Sequence, residues 1–197
     1  MTTTIHRHQI INMLMQSFAQ SERIQNMLRS RRPIHLRAFF EYIYTHVKRC
    51  GRIFLSTDQS TLLLFYQQSN QGQNWELIKA KLNLLLNHFS LVRLRETLAT
   101  IKTVNAIRIA HAIRHGDNDY LYVWFLAGKE KRQNYAGLYE AMEYLKVESK
   151  MNNLTIYIET AVQRMLPIYY RAGFKCYTET ESNGQHIWFL KFGNYEK

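Results

Sequence analysis

The stretch 120-YLYVWFLA-127 limits what this chain can fold into more than any other part of it. Eight aromatic, β-branched or apolar residues without alternation cannot form a strand with one wet face. The segment therefore predicts a central strand covered on both sides. It is followed by 129-KEKRQNYAGLYEAMEYL-145, where the spacing turns helical and Lys129, Lys131 and Arg132 precede the helix. At such a strand-to-helix turn the unpaired amides and the helix dipole favour an anion. On these residues alone an anion cradle and an ordinary basic turn both stay open.

The pattern continues in the same style. A helix is expected over 137–150, a buried strand at 154-LTIYIET-160, and a short helix in 163-QRMLPIYYRAG-173, with Pro167 near its first turn and Gly173 at its end. A hairpin, 174-FKCYTETES-182 and 186-HIWFLKF-192, closes the chain around an Asn-Gly turn. Strand, helix, strand in this order predicts that 120–127 and 154–160 are adjacent and parallel. Upstream, three- and four-residue apolar steps predict a helix over 8–29 that can break near Ser21, ended by Arg31, Arg32 and Pro33. A second helix is expected over 35–50 with Gly51 in the C-cap position. The runs 52-RIFLS-56 and 61-TLLLFY-66 read as a β-hairpin, and 75–113 as two or three helices. The fold class is α/β with a helical N-terminal half.

With 197 residues, 46% of them hydrophobic, one domain is expected across 1–197: a helix-rich half with a hairpin over 1–114, then 115–192. The net charge of +11 points to anionic partners: nucleic acid, acidic lipid or a phosphorylated cofactor. Cys50 and Cys176 are isolated and lack metal-ligand spacing, so no metal is expected. The N-terminus has no apolar leader and no stretch is long enough to span a bilayer, which leads to the expectation of a cytoplasmic protein.

The second half resembles the GNAT superfamily, the acyl-CoA-dependent N-acyltransferases. The likeness rests on the central strand, a loop matching R/Q-x-x-G-x-G/A at 132-RQNYAG-137, a strand ending in Glu-Thr at 154–160, and 169-YYRAGF-174, which is similar to the family's Y-x-x-x-G-F. It covers roughly 115–192. The resemblance implies a mostly antiparallel sheet whose central parallel pair splays apart, acetyl-CoA as acyl donor, and an amine acceptor of unstated identity, a small molecule or a protein amine. It also implies that Arg132, Gln133, Asn134, Tyr135, Ala136, Gly137 and Leu138 hold the cofactor's pyrophosphate. Arg164 is a further candidate contact, and a backbone amide at Leu126 or Ala127 would meet the thioester carbonyl. Two positions depart from the family: Tyr135 stands where the first glycine is usual, and Met165 where an asparagine often helps hold the pantetheine arm.

Acyl transfer needs a proton for the departing thiolate and a base for the amine. Tyr169 matches the family's general acid, with Tyr170 as its competitor. Glu159, at the end of a strand, is the candidate base, or else a carboxylate paired with an arginine. Tyr120, Tyr122, Trp124 and Tyr157 are candidates for an acceptor pocket or for core. Two other readings stand beside the transferase. The departures at Tyr135 and Met165 allow an inactive CoA-binding module. The charge and the cluster 29-RSRR-32 allow a nucleic-acid-binding protein, which no recognition motif supports.

Overall fold

The structure is a computed structural model, and it describes residues 7–70, 75–89, 91–128, 135–182 and 184–193. The chain begins with α1 (Arg7–Phe18), α2 (Glu22–Met27) and α3 (Pro33–Cys50), and runs into the hairpin β1 (Gly51–Leu55) and β2 (Thr61–Gln67). Helices α4 (Trp75–Asn87) and α5 (Leu91–Arg114) follow, then β3 (Tyr120–Gly128), α6 (Tyr135–Asn152) and β4 (Thr155–Thr160). A 3-10 turn (Gln163–Met165), α7 (Leu166–Arg171), β5 (Lys175–Ser182) and β6 (Gln185–Phe192) complete it. The six strands form one sheet in the order β1-β2-β3-β4-β6-β5, antiparallel except for β3 and β4. No helix among the described residues is long and apolar enough to cross a membrane.

Each face of the sheet is covered. Leu63, Phe65, Leu121, Val123, Ile156 and Ile158 pack beneath α6 and α7. On the opposite face Leu62 and Leu64 meet α1 and α3, while Tyr120, Tyr157, Ile187 and Phe189 meet Val104 and Ala112 of α5. Strand β2 is buried at six of its seven positions, which explains its unbroken apolar sequence.

Several boundaries differ from the sequence expectation. Pro33 begins α3 rather than ending the segment before it, because a residue without an N–H is tolerated in a first turn. The period from 91 to 114 is continuous, so two helices form where two or three were expected. The segment 163–173 divides into a 3-10 turn and α7, with Pro167 starting the second piece. Helix α6 starts at Tyr135, so Tyr135, Ala136, Gly137 and Leu138 form a first helical turn and not a loop.

Gly51 caps α3 in an extended conformation, φ −141°, and so is not needed for a left-handed turn. Its function is steric. A Cβ there would collide with the carbonyl oxygen of Phe65 and lie 3.1 Å from Tyr66 Cβ and 3.2 Å from Val47 Cγ1. Gly51→Ala is therefore expected to destabilise the fold by about 1–3 kcal/mol through overpacking, measured by urea denaturation. An unchanged midpoint would mean that β1 and β2 move apart freely.

Candidate active-site cleft

The cleft begins with a fault in strand pairing. Phe65 pairs with Val123 and Leu64 with Phe125, so Trp124 is an extra residue in β3. Such a bulge bends its strand and raises the local twist. On the other side of β3 the parallel ladder to β4 runs from Tyr120↔Thr155 to Val123↔Ile158 and stops there. Beyond that point residues 125–128 pair with β2 alone, whereas Glu159 and Thr160 pair with β6. The two central strands have parted. Amides of successive strand residues point to opposite edges. Of Leu126 and Ala127, which face Leu63 and Leu62, one therefore directs its N–H to β2 and the other into the opening.

The helices beside the opening are tied to the sheet. Glu140 of α6 accepts hydrogen bonds from the Thr57 amide (3.0 Å) and the Thr57 hydroxyl (2.6 Å) in the β1–β2 turn. Asp58 in that turn accepts from the Ser56 and Ser60 hydroxyls at 2.6 and 2.7 Å. These bonds, Ser56 first, hold its carboxyl down at about 2. Gly137 is buried against this turn: a Cβ there would lie 2.5 Å from Ser60 Oγ and 2.9 Å from Asp58 Oδ1. Tyr135 is exposed and has no positive φ; among the described non-glycine residues only Gln59 and Asn153 do. Ala136 is exposed and Leu138 buried. Arg132, Gln133 and Asn134 lie outside the described residues.

On the far side of the opening, Arg164 is exposed in the 3-10 turn after β4, and Met165 beside it is half-buried against the α6–α7 core. Tyr169 of α7 is turned inwards, 4% exposed, with its ring 5.9 Å from that of Phe174, whereas Tyr170 is 47% exposed. Burial pushes the Tyr169 phenol well above its ordinary pKa, so it keeps its proton throughout the neutral range.

At the point of parting, on the face covered by α5, Glu159 meets Arg108. The guanidinium Nη1 donates to Glu159 Oε1 at 2.7 Å, with both side chains about 95% buried (4% and 5% exposed). Nη2 donates to Asn105 Oδ1 at 2.7 Å, Nε reaches the Tyr120 hydroxyl at 3.3 Å, and the guanidinium lies 3.7 Å from the Tyr122 ring centre. Burial opposes the charge on Arg108, but Tyr122, Glu159 and Tyr66 outweigh it and hold its pKa above the ordinary value. Burial, then Glu159, pushes the Tyr122 phenol far up, so Tyr122 is a neutral donor to the Glu159 carboxylate.

Of the aromatic residues weighed as pocket lining, Tyr120 and Tyr157 are core, with Tyr157 donating to Asp117 at 2.7 Å. Tyr122 and Trp124 are half-buried. Arg108 itself was missed by motif reasoning. Its signal is positional: with Val104 and Ala112, four residues to either side, it occupies the buried stripe of α5, where a lone cation demands a partner. Among the described residues no cluster of three or more His, Cys, Asp or Glu is placed to hold a metal ion.

Removing one partner of this pair leaves the other charge buried. Glu159→Met or Arg108→Met is expected to cost about 3–5 kcal/mol, while the two together cost much less than the sum. A double-mutant cycle by urea denaturation reads the coupling, and a single-variant loss below about 1 kcal/mol would mean that the pair is solvated.

His111 of α5 stacks on Tyr177 at 3.8 Å, and neither its Nε2 nor the Tyr177 hydroxyl has a partner among the described residues. Burial first, then Lys191, His115 and Arg114 against the opposing Asp117, lowers its pKa to about 4. The folded state thus keeps His111 neutral while the unfolded chain protonates it near 6.5. Stability is expected to fall as the pH drops from about 6.5 to about 4 and then level off, and His111→Gln should flatten this slope in urea midpoints taken across the range.

Comparison with family models finds no match, and no curated protein matches the chain. Solved structures do. The chain superposes on a Corynebacterium glutamicum protein described as a histone acetyltransferase and related acetyltransferase, with TM-score 0.63 and 12% identity over 96% of this chain and 92% of that one. It superposes on the Drosophila melanogaster polyamine N-acetyltransferase that forms N-acetylagmatine (TM-score 0.62, 11% identity, 94% of each chain). Arylalkylamine N-acetyltransferase 2 from Aedes aegypti gives TM-score 0.57 at 10% identity over 97% of each chain. At these identities the likeness is one of architecture: this chain has the GNAT fold, with its six-stranded sheet and a central parallel pair that parts.

Proposed function

We propose that the chain is an N-acetyltransferase that uses acetyl-CoA and accepts the acetyl group on a primary amine. The observation that carries this reading is the parting of β3 and β4 after Val123 and Ile158, which presents one amide from Leu126 or Ala127 to a cleft bordered by α6 and α7. The residues present fit such a donor. The strand edge supplies N–H groups for a carbonyl, the first turn of the 18-residue α6 supplies the positive end of a helix dipole for a diphosphate, and Tyr169 is turned inwards from α7. Acetyl-CoA, when bound, supplies an electrophilic thioester carbonyl and a thiolate leaving group.

The protein's own groups then have distinct roles. The cleft amide at Leu126 or Ala127 stabilises negative charge on the carbonyl oxygen. Arg132, Gln133, Asn134, Tyr135, Ala136, Gly137 and Leu138 are the proposed contacts for the diphosphate, and Arg164, exposed in the 3-10 turn after β4, is a further one. Tyr169, protonated because it is buried, gives its proton to the departing sulfur. For Glu159 the burial and the 2.7 Å pair with Arg108 favour a positioning role over that of a free base. Together with Tyr122 it fixes the electrostatics at the apex of the cleft. The tyrosine at 135 weighs little against binding, since an α-helical first turn needs no glycine.

Acetyl-CoA at 100 times its Kd is expected to stabilise the protein by about 2.7 kcal/mol, read as a rise in Tm. Tyr169→Phe should keep that stabilisation while turnover against a panel of amines falls about 10²- to 10⁴-fold, and Tyr170→Phe should change little. Glu159→Gln separates its two roles: a base would take the acidic limb of the pH–rate profile with it, whereas a positioning residue lowers stability and leaves the limb in place. No stabilisation at millimolar acetyl-CoA would end the reading. Stabilisation without transfer to any amine would favour an inactive CoA-binding module.

A further inference from the structure

The cluster 29-RSRR-32 is the connection between α2 and α3, and the function proposed above does not use it. Arg29, Ser30, Arg32 and His35 line an open cavity of about 400 Å³. The connection is held in place from the residues that follow α4: the Arg29 amide donates to His88 O at 2.7 Å, and Leu28 forms a β-bridge with Phe89. His35 Nδ1 lies 3.0 Å from His88 Nδ1, a hydrogen bond that requires one nitrogen to carry a proton and the other to be bare. Among the described residues, Arg29, Arg31 and Arg32 have no carboxylate partner. Burial first, then His88, Arg29 and Arg32, lowers the proton affinity of His35. The concavity is thus a positive field with no neutralising carboxylate on it among the described residues.

We infer that this cavity binds the phosphate group of a small molecule, a phosphate monoester or a diphosphate. Two guanidinium forks, a hydroxyl and an imidazole offer more donors than the two oxygens of a carboxylate can accept, and they match the three terminal oxygens of a phosphate monoester. The surface is concave and confined to one turn between helices, with the apolar Ile34 63% exposed beside it, whereas a nucleic-acid backbone needs a track of cations spaced along several phosphates. It is also separate from the cofactor cleft. Helix α3 packs on the sheet face opposite α6, as Leu36 and Phe39 join the core with Leu62 and Leu64, while α6 covers Leu63 and Phe65. A phosphate held here and a diphosphate held at α6 occupy different faces of the sheet.

The test is calorimetric titration with inorganic diphosphate at constant ionic strength. Binding is expected, and Arg29→Ala and Arg32→Ala should each weaken it about ten-fold or more. Arg31→Ala removes the same charge without lining the cavity, so it should weaken binding by about two-fold or less. With saturating acetyl-CoA filling the site at α6, diphosphate binding should persist, and it is this remaining component that Arg29→Ala and Arg32→Ala should weaken. Sulfate, whose charge is constant over the range, should bind more tightly at about pH 5.5 than at about pH 8 as His35 gains its proton, and His35→Gln should remove that difference. Equal losses at all three arginines would reduce the site to a diffuse field and overturn the proposal. So would loss of all diphosphate binding under saturating acetyl-CoA, no binding at millimolar diphosphate, or tight binding of an RNA oligonucleotide without any response to diphosphate.

Discussion

Four residue pairs hold β3 to β4, and the ladder then ends where Trp124 is inserted into β3. A buried backbone amide without a partner costs about as much as a lost hydrogen bond. The edge of β3 beyond the bulge therefore requires something other than a strand beside it. An extended ligand with its own amide and carbonyl groups meets that requirement in the way a strand would, and the pantetheine arm of CoA is such a ligand. The bulge thus connects a local irregularity of one strand to the chemistry the fold can perform.

A cleft between parted strands needs support at its apex, where main-chain pairing no longer ties the sheet together. Arg108 and Glu159 supply it. The pair joins α5 to the first residue of β4 that no longer pairs with β3, and Tyr122 on β3 lies against the guanidinium, so three elements meet at one buried ionic contact. Buried ion pairs add little net stability over an apolar substitute, because desolvation offsets most of the attraction. What such a pair contributes is specificity of arrangement: a shifted α5 or a closed cleft would leave two charges buried apart. Within this pairing, a proton accepted by Glu159 would strand the guanidinium of Arg108.

The sequence carried most of the architecture and less of the site. The run 120-YLYVWFLA-127 was legible as a central strand because apolar residues on both faces admit no other placement, and the parallel partner followed from the intervening helix. The two hairpins were legible from their turns. The bulge was not, because Trp124 differs in no way from its neighbours in hydrophobicity; only its mismatch with β2 reveals it. The partner of Glu159 lies 51 residues away, beyond the reach of any local pattern, although Arg108 interrupting an apolar stripe signalled that a partner must exist. Helix boundaries moved for an equally local reason: Lys102 and Thr103 fall on the solvent face of α5 and Asn105 turns to Arg108, so they read as a break while the buried period ran on through Val104.

The glycines after β3 show how two requirements can be superposed in one motif. A loop that wraps an anion wants glycine for positive φ, whereas a helix packed close to another element wants glycine for the missing Cβ. At position 135 the chain is already helical, so the first requirement does not arise and a tyrosine sits there, exposed and unstrained. At position 137 the second requirement is acute, since Ser56, Asp58 and Ser60 all lie within 3 Å of where a Cβ would be. Gly137 is thus kept by its neighbours in the β1–β2 turn. The Thr57–Glu140 bonds then hold the start of α6 against that turn and so set the direction in which its amides point. A change at 137 accordingly acts first on the placement of the helix.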